Sequence, residues 1–190
     1  MICNIFFIKR RKIEVLSPNI KDLKIEETTL TIPCLNINSS TEIIRYMDNQ
    51  VEKNKAICKV FFDELFNNGN LDAIDKFVDT GVTVHKTFPW QRSGQKAFYD
   101  TVEVFKLGFP DLKIKFDDVL GDGDKVVAKF TVSGTHKETF LNIPATGKKV
   151  EYEEVNIVRF RNEKIIEHWV VADTYTLMHT LTDNEINPLV

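Results

Sequence analysis

The sequence lacks the features that mark several large classes of protein. Its three cysteines are an odd number and form no Cys-x-x-Cys pair, so we expect no disulfide framework and a reducing cytosol as the compartment. No apolar run is long enough to span a bilayer. The apolar residues 1–8 precede a basic run instead of following one, which is the reverse of a secretory signal peptide. We therefore expect a cytoplasmic protein without a membrane span.

An excess of one charge is also missing. The 190 residues carry a net charge of −3, with basic and acidic residues interleaved, whereas nucleic-acid binding normally needs a basic patch or stripe. The four histidines show no metal-binding spacing. Glycine-rich phosphate loops and a Gly-x-Ser-x-Gly elbow do not occur. We expect no nucleic-acid partner, no metal and no cofactor.

The chain has two parts with different patterns. Residues 1–46 mix Ile-rich pieces with Asn, Ser, Thr and Pro and show no sustained helical or strand period. This pattern predicts an N-terminal arm that is poorly ordered or loosely docked. Residues 47–190 hold the patterned sequence, and a domain of this length can bury a core with a cavity. The 14 phenylalanines are spread through the chain, which predicts an aromatic-rich interior.

Helical periodicity comes first in the patterned part, and strand periodicity follows Pro110. Gly69 suits a left-handed helix cap, Ser93 a helix N-cap and Asp173 the cap of a closing helix. Three helices followed by a four-strand meander predict an α+β fold, with the helices on one face of a curved antiparallel sheet. The predicted elements are helices from Val51, over 71–77 and over 93–108, strands over 82–85, 112–116, 126–132, 149–160 and 165–171, and a helix after residue 173.

Five short motifs keep their order over about 135 residues, and together they resemble the SnoaL-like polyketide cyclase family of the nuclear-transport-factor-2-like superfamily. The resemblance implies a cone-shaped curved sheet wrapped around the N-terminal helices, which encloses a pocket. Some relatives close polyketide rings without metal or cofactor. The motifs are Phe-Pro-Asp-Leu at 109–112, Gly-Asp-Gly-Asp-Lys-Val at 121–126, Ser-Gly-Thr-His at 133–136, Ile-Pro-Ala-Thr-Gly-Lys at 143–148, and Arg-Phe, Lys-Ile, Glu-His-Trp and Asp between 159 and 173.

The family's catalytic positions carry over with departures. In cyclases of known activity, the acid/base is an aspartate on the last strand, just after the motif histidine, and this position here is Val170. A family histidine on the preceding strand corresponds to Asn156, and a polar residue on the first strand corresponds to His85. The family's usual route to aldol cyclisation therefore lacks its carboxylate in this chain.

Strand alternation completes the predicted pocket. If Asn156 faces it, Tyr152 and Glu154 share that face, and Val170 would bring His168 with it. A β-bulge would instead turn Glu154 to solvent, and His168 has the alternative role of a hydrogen-bonded wall residue. The predicted catalytic residues are His85, Asn156 and His168, and the predicted substrate contacts are Phe88, Trp90, Phe109, Tyr152, Glu154 and Val170.

Three functions fit this pattern. The first is a cofactor-free cyclase, isomerase or lyase acting on a small, apolar, carbonyl-containing metabolite, since a histidine can act as a base near neutral pH and an amide or phenol can hold an enolate oxygen. The second is a protein that binds a small molecule without converting it. The third is a dimeric scaffold, in which the open sheet face forms a homodimer.

Overall fold

The computed structural model describes residues 7–8, 30–31, 40–85, 88 and 91–182. The chain divides into two units, Met1–Asn49 and Gln50–Val190. In the first unit, the short strands β1 (Phe7–Ile8) and β2 (Leu30–Thr31) pair in antiparallel fashion. The second unit contains the sheet and the cavity described below.

The helices follow the predicted order, but two of them begin elsewhere. The first begins at Ser40, well before the predicted start at Val51. Its opening turns include exposed residues such as Ile44, so the sequence there shows no buried apolar period from which a helix could be predicted. Ser93 does not cap the third helix, since Gly94 has a φ of 68° and separates it from the helical residues. The helices are α1 (Ser40–Phe62), which continues as a π-helical segment over Asp63–Asn67, α2 (Asp72–Phe77), α3 (Lys96–Gly108) and α4 (Thr174–Thr182).

One five-stranded sheet forms the second layer and gives the expected α+β fold. The meander β4-β5-β6-β7 is antiparallel, and β3 adds to its edge in parallel with β7, giving the order β3-β7-β6-β5-β4. The sheet is unclosed, because β3 and β4 form its two edges, and it is curved, as the resemblance implies. Its strands are β3 (Val78–His85), β4 (Lys113–Asp122), β5 (Lys125–Thr135), β6 (Lys149–Arg161) and β7 (Lys164–Ala172).

The turns of the meander are specified by short-range chemistry. Asn162 and Glu163, between β6 and β7, both have positive φ, at 51° and 64°. Two such residues form the tight hairpin turn whose twist matches that of the flanking strands. Gly69, with a φ of 69°, adopts the predicted left-handed conformation after the π-helical segment.

Aromatic side chains fill the space between helices and sheet. The ring of Phe61 lies 5.0 Å from that of Phe62 and 5.6 Å from that of Phe98. Phe62 in turn contacts Phe130 on β5, with ring centroids 5.5 Å apart. The phenylalanine-rich composition therefore supplies the core that joins α1 and α3 to the sheet. In the described part of the chain, no helix has both the length and the apolar character needed to cross a bilayer.

Candidate functional site

The concave side of the sheet and the helices line a cavity of about 390 Å³. This is within the size range of small-molecule sites. Its wall is mainly apolar and aromatic, and among the described residues its ionisable side chains are Tyr152, Glu154 and His168. The lining residues are Phe62, Leu65, Phe66, Phe88, Phe98, Thr101, Phe105, Phe140, Leu141, Tyr152, Glu154, Asn156, His168, Val170, Ala172, Thr174, Leu177 and Met178.

Strand β6 brings three polar side chains to this cavity. Tyr152, Glu154 and Asn156 alternate along the strand and all line the cavity, as expected for residues two apart. The bulge between β6 and β7 occurs at Arg159 and Phe160. Because it lies beyond Glu154 in the chain, it leaves the alternation intact and the carboxyl group stays on the cavity side.

A hydrogen-bonded row joins β6 to β7 inside the wall. The Nδ2 of Asn156 donates to Oε1 of Glu154 at 2.9 Å. The Oδ1 of Asn156 lies 2.7 Å from Nε2 of His168. Asn156 and Val170 are register partners on the two strands, so β7 presents Val170 and His168 on the same face.

His168 is a buried, neutral imidazole. Burial lowers its pKa to about 4, and the nearby His85 contributes in the same direction. One face of the ring stacks on Phe98, with centroids 5.1 Å apart. Its Nδ1 is buried and makes no hydrogen bond within the described part of the chain. Both ring nitrogens are therefore shielded from a ligand, Nε2 by Asn156 and Nδ1 by packing.

Glu154 and Tyr152 each present a polar, ionisable group to a ligand in the cavity. Burial raises the pKa of the Glu154 carboxyl, while the hydrogen bond from Asn156 lowers it. The pKa of Tyr152 is raised by burial and by the neighbouring Glu154, so its phenol stays protonated at neutral pH. The described residues provide no hydrogen-bond partner for the Tyr152 hydroxyl. A proton acceptor and a hydrogen-bond donor thus share one apolar wall.

His85 does not join this group. It pairs with Trp169 in the parallel register of β3 and β7, and neighbours in a register share a sheet face. The two rings stack 4.3 Å apart at an angle of 4°, and Nε2 of His85 lies 3.6 Å from Glu167 on the convex face. His85 is therefore placed on the side of the sheet opposite to His168, and the two histidines do not converge on the cavity.

The predicted substrate contacts divide in the same way. Phe88 and Val170 line the cavity together with Tyr152 and Glu154. Phe109 does not, because it is packed in the core with Phe140 and His136, at ring distances of 5.0 and 5.2 Å. The contact predicted for Trp90 lies outside the described residues.

Several residues of the cavity wall were not predicted from the sequence. Thr174, Leu177 and Met178 come from α4, while Phe140 and Leu141 come from the loop between β5 and β6. Only tertiary packing brings these segments to the cavity. The signal for Phe98 and Phe105 was present, since their spacing of seven places them on one face of α3.

The structure also places the motif histidine His136 and shows how the possible metal ligands are arranged. His136, the histidine of the Ser-Gly-Thr-His motif, is completely buried, and its Nδ1 lies 3.0 Å from the Thr146 hydroxyl. Among the residues that the structure describes, no group of three or more His, Cys, Asp or Glu side chains is arranged to hold a metal ion.

Comparison with known proteins identifies the same architecture. Residues 56–181 match the family model of SnoaL-like polyketide cyclase. The chain is 25% identical over 114 residues to the aklanonic acid methyl ester cyclase DnrD of Streptomyces peucetius, a match that covers 55% of this chain and 74% of that protein.

Solved structures agree in fold. TsrD from Streptomyces laurentii superposes with a TM-score of 0.64 at 22% identity, covering 70% of this chain and 97% of that one. AclR from Streptomyces galilaeus gives a TM-score of 0.64 at 24% identity, covering 73% and 87% of the two chains. At these identities the likeness concerns the fold alone.

Proposed function

The chain belongs to the SnoaL-like polyketide cyclase family, and we propose from this premise that its cavity carries out cofactor-free acid–base chemistry on a small, largely apolar carbonyl compound. The observation that carries the proposal is the presence of a carboxyl group, Glu154, and a phenol, Tyr152, on the apolar wall formed by the described residues. The reaction class is that of a cyclase, isomerase or lyase.

Glu154 is the proposed proton acceptor. It would take a proton from the carbon next to the substrate carbonyl, and the C–H electron pair would become the enolate. A general base works best with a pKa near the operating pH, and burial moves the Glu154 pKa upward from its usual range. The general base proposed here is thus a carboxylate on β6 and not the histidine expected from the sequence. The position of the family's aspartate on β7 is Val170.

Tyr152 is the proposed donor to the enolate oxygen. Its hydroxyl would hydrogen-bond to the oxygen as negative charge develops there, which lowers the barrier most in a dry, preorganised site. The enolate then has three outcomes. Its carbon attacks a second carbonyl and closes a ring, or a different conjugated carbon takes the proton, or a leaving group departs from the neighbouring carbon. In each, the proton on Glu154 returns to the product or the leaving group.

The test is deuterium exchange into 2-tetralone, a neutral bicyclic ketone, followed by proton NMR in D₂O. The wild-type protein should exchange the protons next to the carbonyl about 100-fold faster than Glu154→Gln, the lower end of what general bases contribute. Glu153→Gln is the matched control, because Glu153 is exposed and pairs with Lys129. Wild-type protein that binds the ketone and exchanges it no faster than Glu154→Gln would refute the proposal.

Binding without conversion is the second candidate. It is favoured by the hydrocarbon side chains of Val170 and Ala172, which β7 presents to the cavity in place of an acid. A carrier should return its ligand unchanged. Recovery of an unaltered metabolite from purified protein, together with no exchange of 2-tetralone, would favour this function over catalysis.

We also propose that the convex sheet face pairs with a second copy of the chain. Val171 is 69% exposed there, and the face carries both signs of charge, as in the pair formed by Arg159 and Glu167. A two-fold axis can place such a surface against itself with opposite charges in contact. Sedimentation velocity should show a dimer at micromolar concentration, and a monomer would refute this arrangement.

A further inference from the structure

We propose that His168 is a positioning residue: its Nε2–H fixes the side-chain amide of Asn156, and this amide holds the carboxylate of Glu154 in the cavity. The inference rests on the proposed function, because it takes Glu154 as the proton acceptor. It gives a role to His168, a buried histidine whose ring nitrogens are shielded from a ligand. A chain of hydrogen bonds across two strands would then set the direction of the base.

The orientation of the row follows from the chemistry of its ends. An ionised carboxylate only accepts hydrogen bonds, so the Asn156 atom that faces Oε1 of Glu154 must be Nδ2, at 2.9 Å. The amide oxygen then faces Nε2 of His168 at 2.7 Å. An oxygen only accepts, so Nε2 carries the proton. The carboxylate of Glu154 therefore determines the orientation of the Asn156 amide and the tautomer of His168.

His168 is held firmly enough to impose this order. Its ring stacks on Phe98 at 5.1 Å and lies 6.1 Å from Phe62. Burial keeps the ring neutral near pH 7, since it lowers the His168 pKa to about 4. A neutral imidazole has a single N–H, and here that group is directed at Asn156.

The row also controls how readily Glu154 ionises. A hydrogen bond to the charged form of an acid lowers its pKa, and burial raises it; both act on Glu154, with burial the larger. If His168 stopped donating, the amide of Asn156 would be free to rotate, and its hydrogen bond to the carboxylate would weaken. The Glu154 pKa would then rise further.

The other groups around Glu154 do not substitute for the effect of this hydrogen-bonded row on the Glu154 pKa. On β6 the titratable neighbour is Tyr152, and on β7 it is His168, reached through Asn156. The described parts of α1 with its π-helical continuation, of α3 and of α4 present apolar side chains and threonines to the cavity, such as Phe66, Thr101 and Thr174. The register partners of Glu154 on β5 and β7 are Phe130 and Ala172.

The experiment measures the Glu154 carboxyl directly, without a substrate. Protein labelled with ¹³C at the glutamate carboxyl carbon is titrated by NMR, and Glu154→Gln identifies the signal. We expect its titration midpoint to move to higher pH in His168→Phe, which keeps the stacked ring and removes the donor. His168→Gln, which restores an N–H donor, should bring the midpoint back toward that of the wild type. His179→Phe, the same change at an exposed histidine, should have no effect.

A second measurement uses the wild-type protein alone and does not depend on a variant folding. The ¹⁵N chemical shifts of the His168 ring at pH 7 should show a protonated Nε2 and a bare Nδ1. Equal midpoints in wild type, His168→Phe and His168→Gln, or a ring protonated on Nδ1, would overturn the inference. Neither result depends on turnover, whereas failure to exchange 2-tetralone would instead count against the proposed function.

In an exchange assay the same variants should separate. On the acid side of the pH profile, His168→Phe should exchange 2-tetralone up to about tenfold more slowly than wild type. Full loss of the charge-assisted hydrogen bond from Asn156 to Glu154 would have about that effect. At high pH, where Glu154 is ionised in both proteins, the difference should narrow. A purely structural role for His168 would lower the rate by the same factor at every pH.

Discussion

Acidification should destabilise this protein through His168, and the size of the effect follows from its burial. The imidazole pKa falls from 6.5 to about 4 in the folded chain. As the pH drops below 6.5, the unfolded chain binds a proton that the folded chain does not, so the free energy of unfolding decreases until about pH 4. With 1.36 kcal/mol for each pKa unit, His168 alone should remove about 3 kcal/mol.

The opposite sign applies to Glu154. Its pKa is raised in the folded protein, so it takes up a proton at a higher pH than in the unfolded chain and stabilises the fold as the pH falls. A comparison of wild type with His168→Gln isolates the histidine, because both proteins retain Glu154 and a donor to Asn156. The difference between their losses of stability should be the His168 contribution.

Urea unfolding at several pH values between 7 and 4, followed by tryptophan fluorescence, measures this difference. Between these limits the wild type should lose about 3 kcal/mol more stability than His168→Gln. His179→Gln, altered at an exposed histidine on α4, should follow the wild type. Equal losses in wild type and His168→Gln would show that His168 is not held neutral, and the reasoning from its burial would fail.

Two further substitutions probe the packing around the cavity. Gly108→Ala would place a methyl group 2.9 Å from Cβ of Phe140, so it should lower the urea-derived stability by about 1–3 kcal/mol, and an unchanged midpoint would contradict the packing of that loop. Asp173 accepts from the backbone N–H of Thr176 at 2.9 Å, so Asp173→Ala should lower the urea midpoint through loss of the α4 cap; a neutral effect would show that the cap does not hold α4 against the cavity.

The part of the site that lies on one strand could be predicted from the sequence. Tyr152, Glu154 and Asn156 share a face because side chains alternate along β6, and no bulge interrupts the strand before Arg159. The order of helices and strands was equally visible, since apolar period and turn residues are local properties. The family motifs added the cone shape, which the five-stranded sheet shows.

The relation between strands could not be obtained in this way. His85 was grouped with His168 by resemblance, yet the parallel register of β3 with β7 aligns it with Trp169 on the other face. Pairing between segments some 80 residues apart is set by tertiary packing, and a shift of one residue reverses the face. For the same reason the sequence of α4 gave no sign that Thr174 and Met178 line the cavity.

A crystal structure of the protein with bound 2-tetralone tests the proposed site most directly. The ketone should occupy the 390 Å³ cavity, with its oxygen in hydrogen-bonding contact with the Tyr152 hydroxyl and the adjacent carbon facing the Glu154 carboxylate. A ketone bound with its oxygen directed away from Tyr152, or bound outside the cavity, would contradict the assignment of these two residues as donor and base.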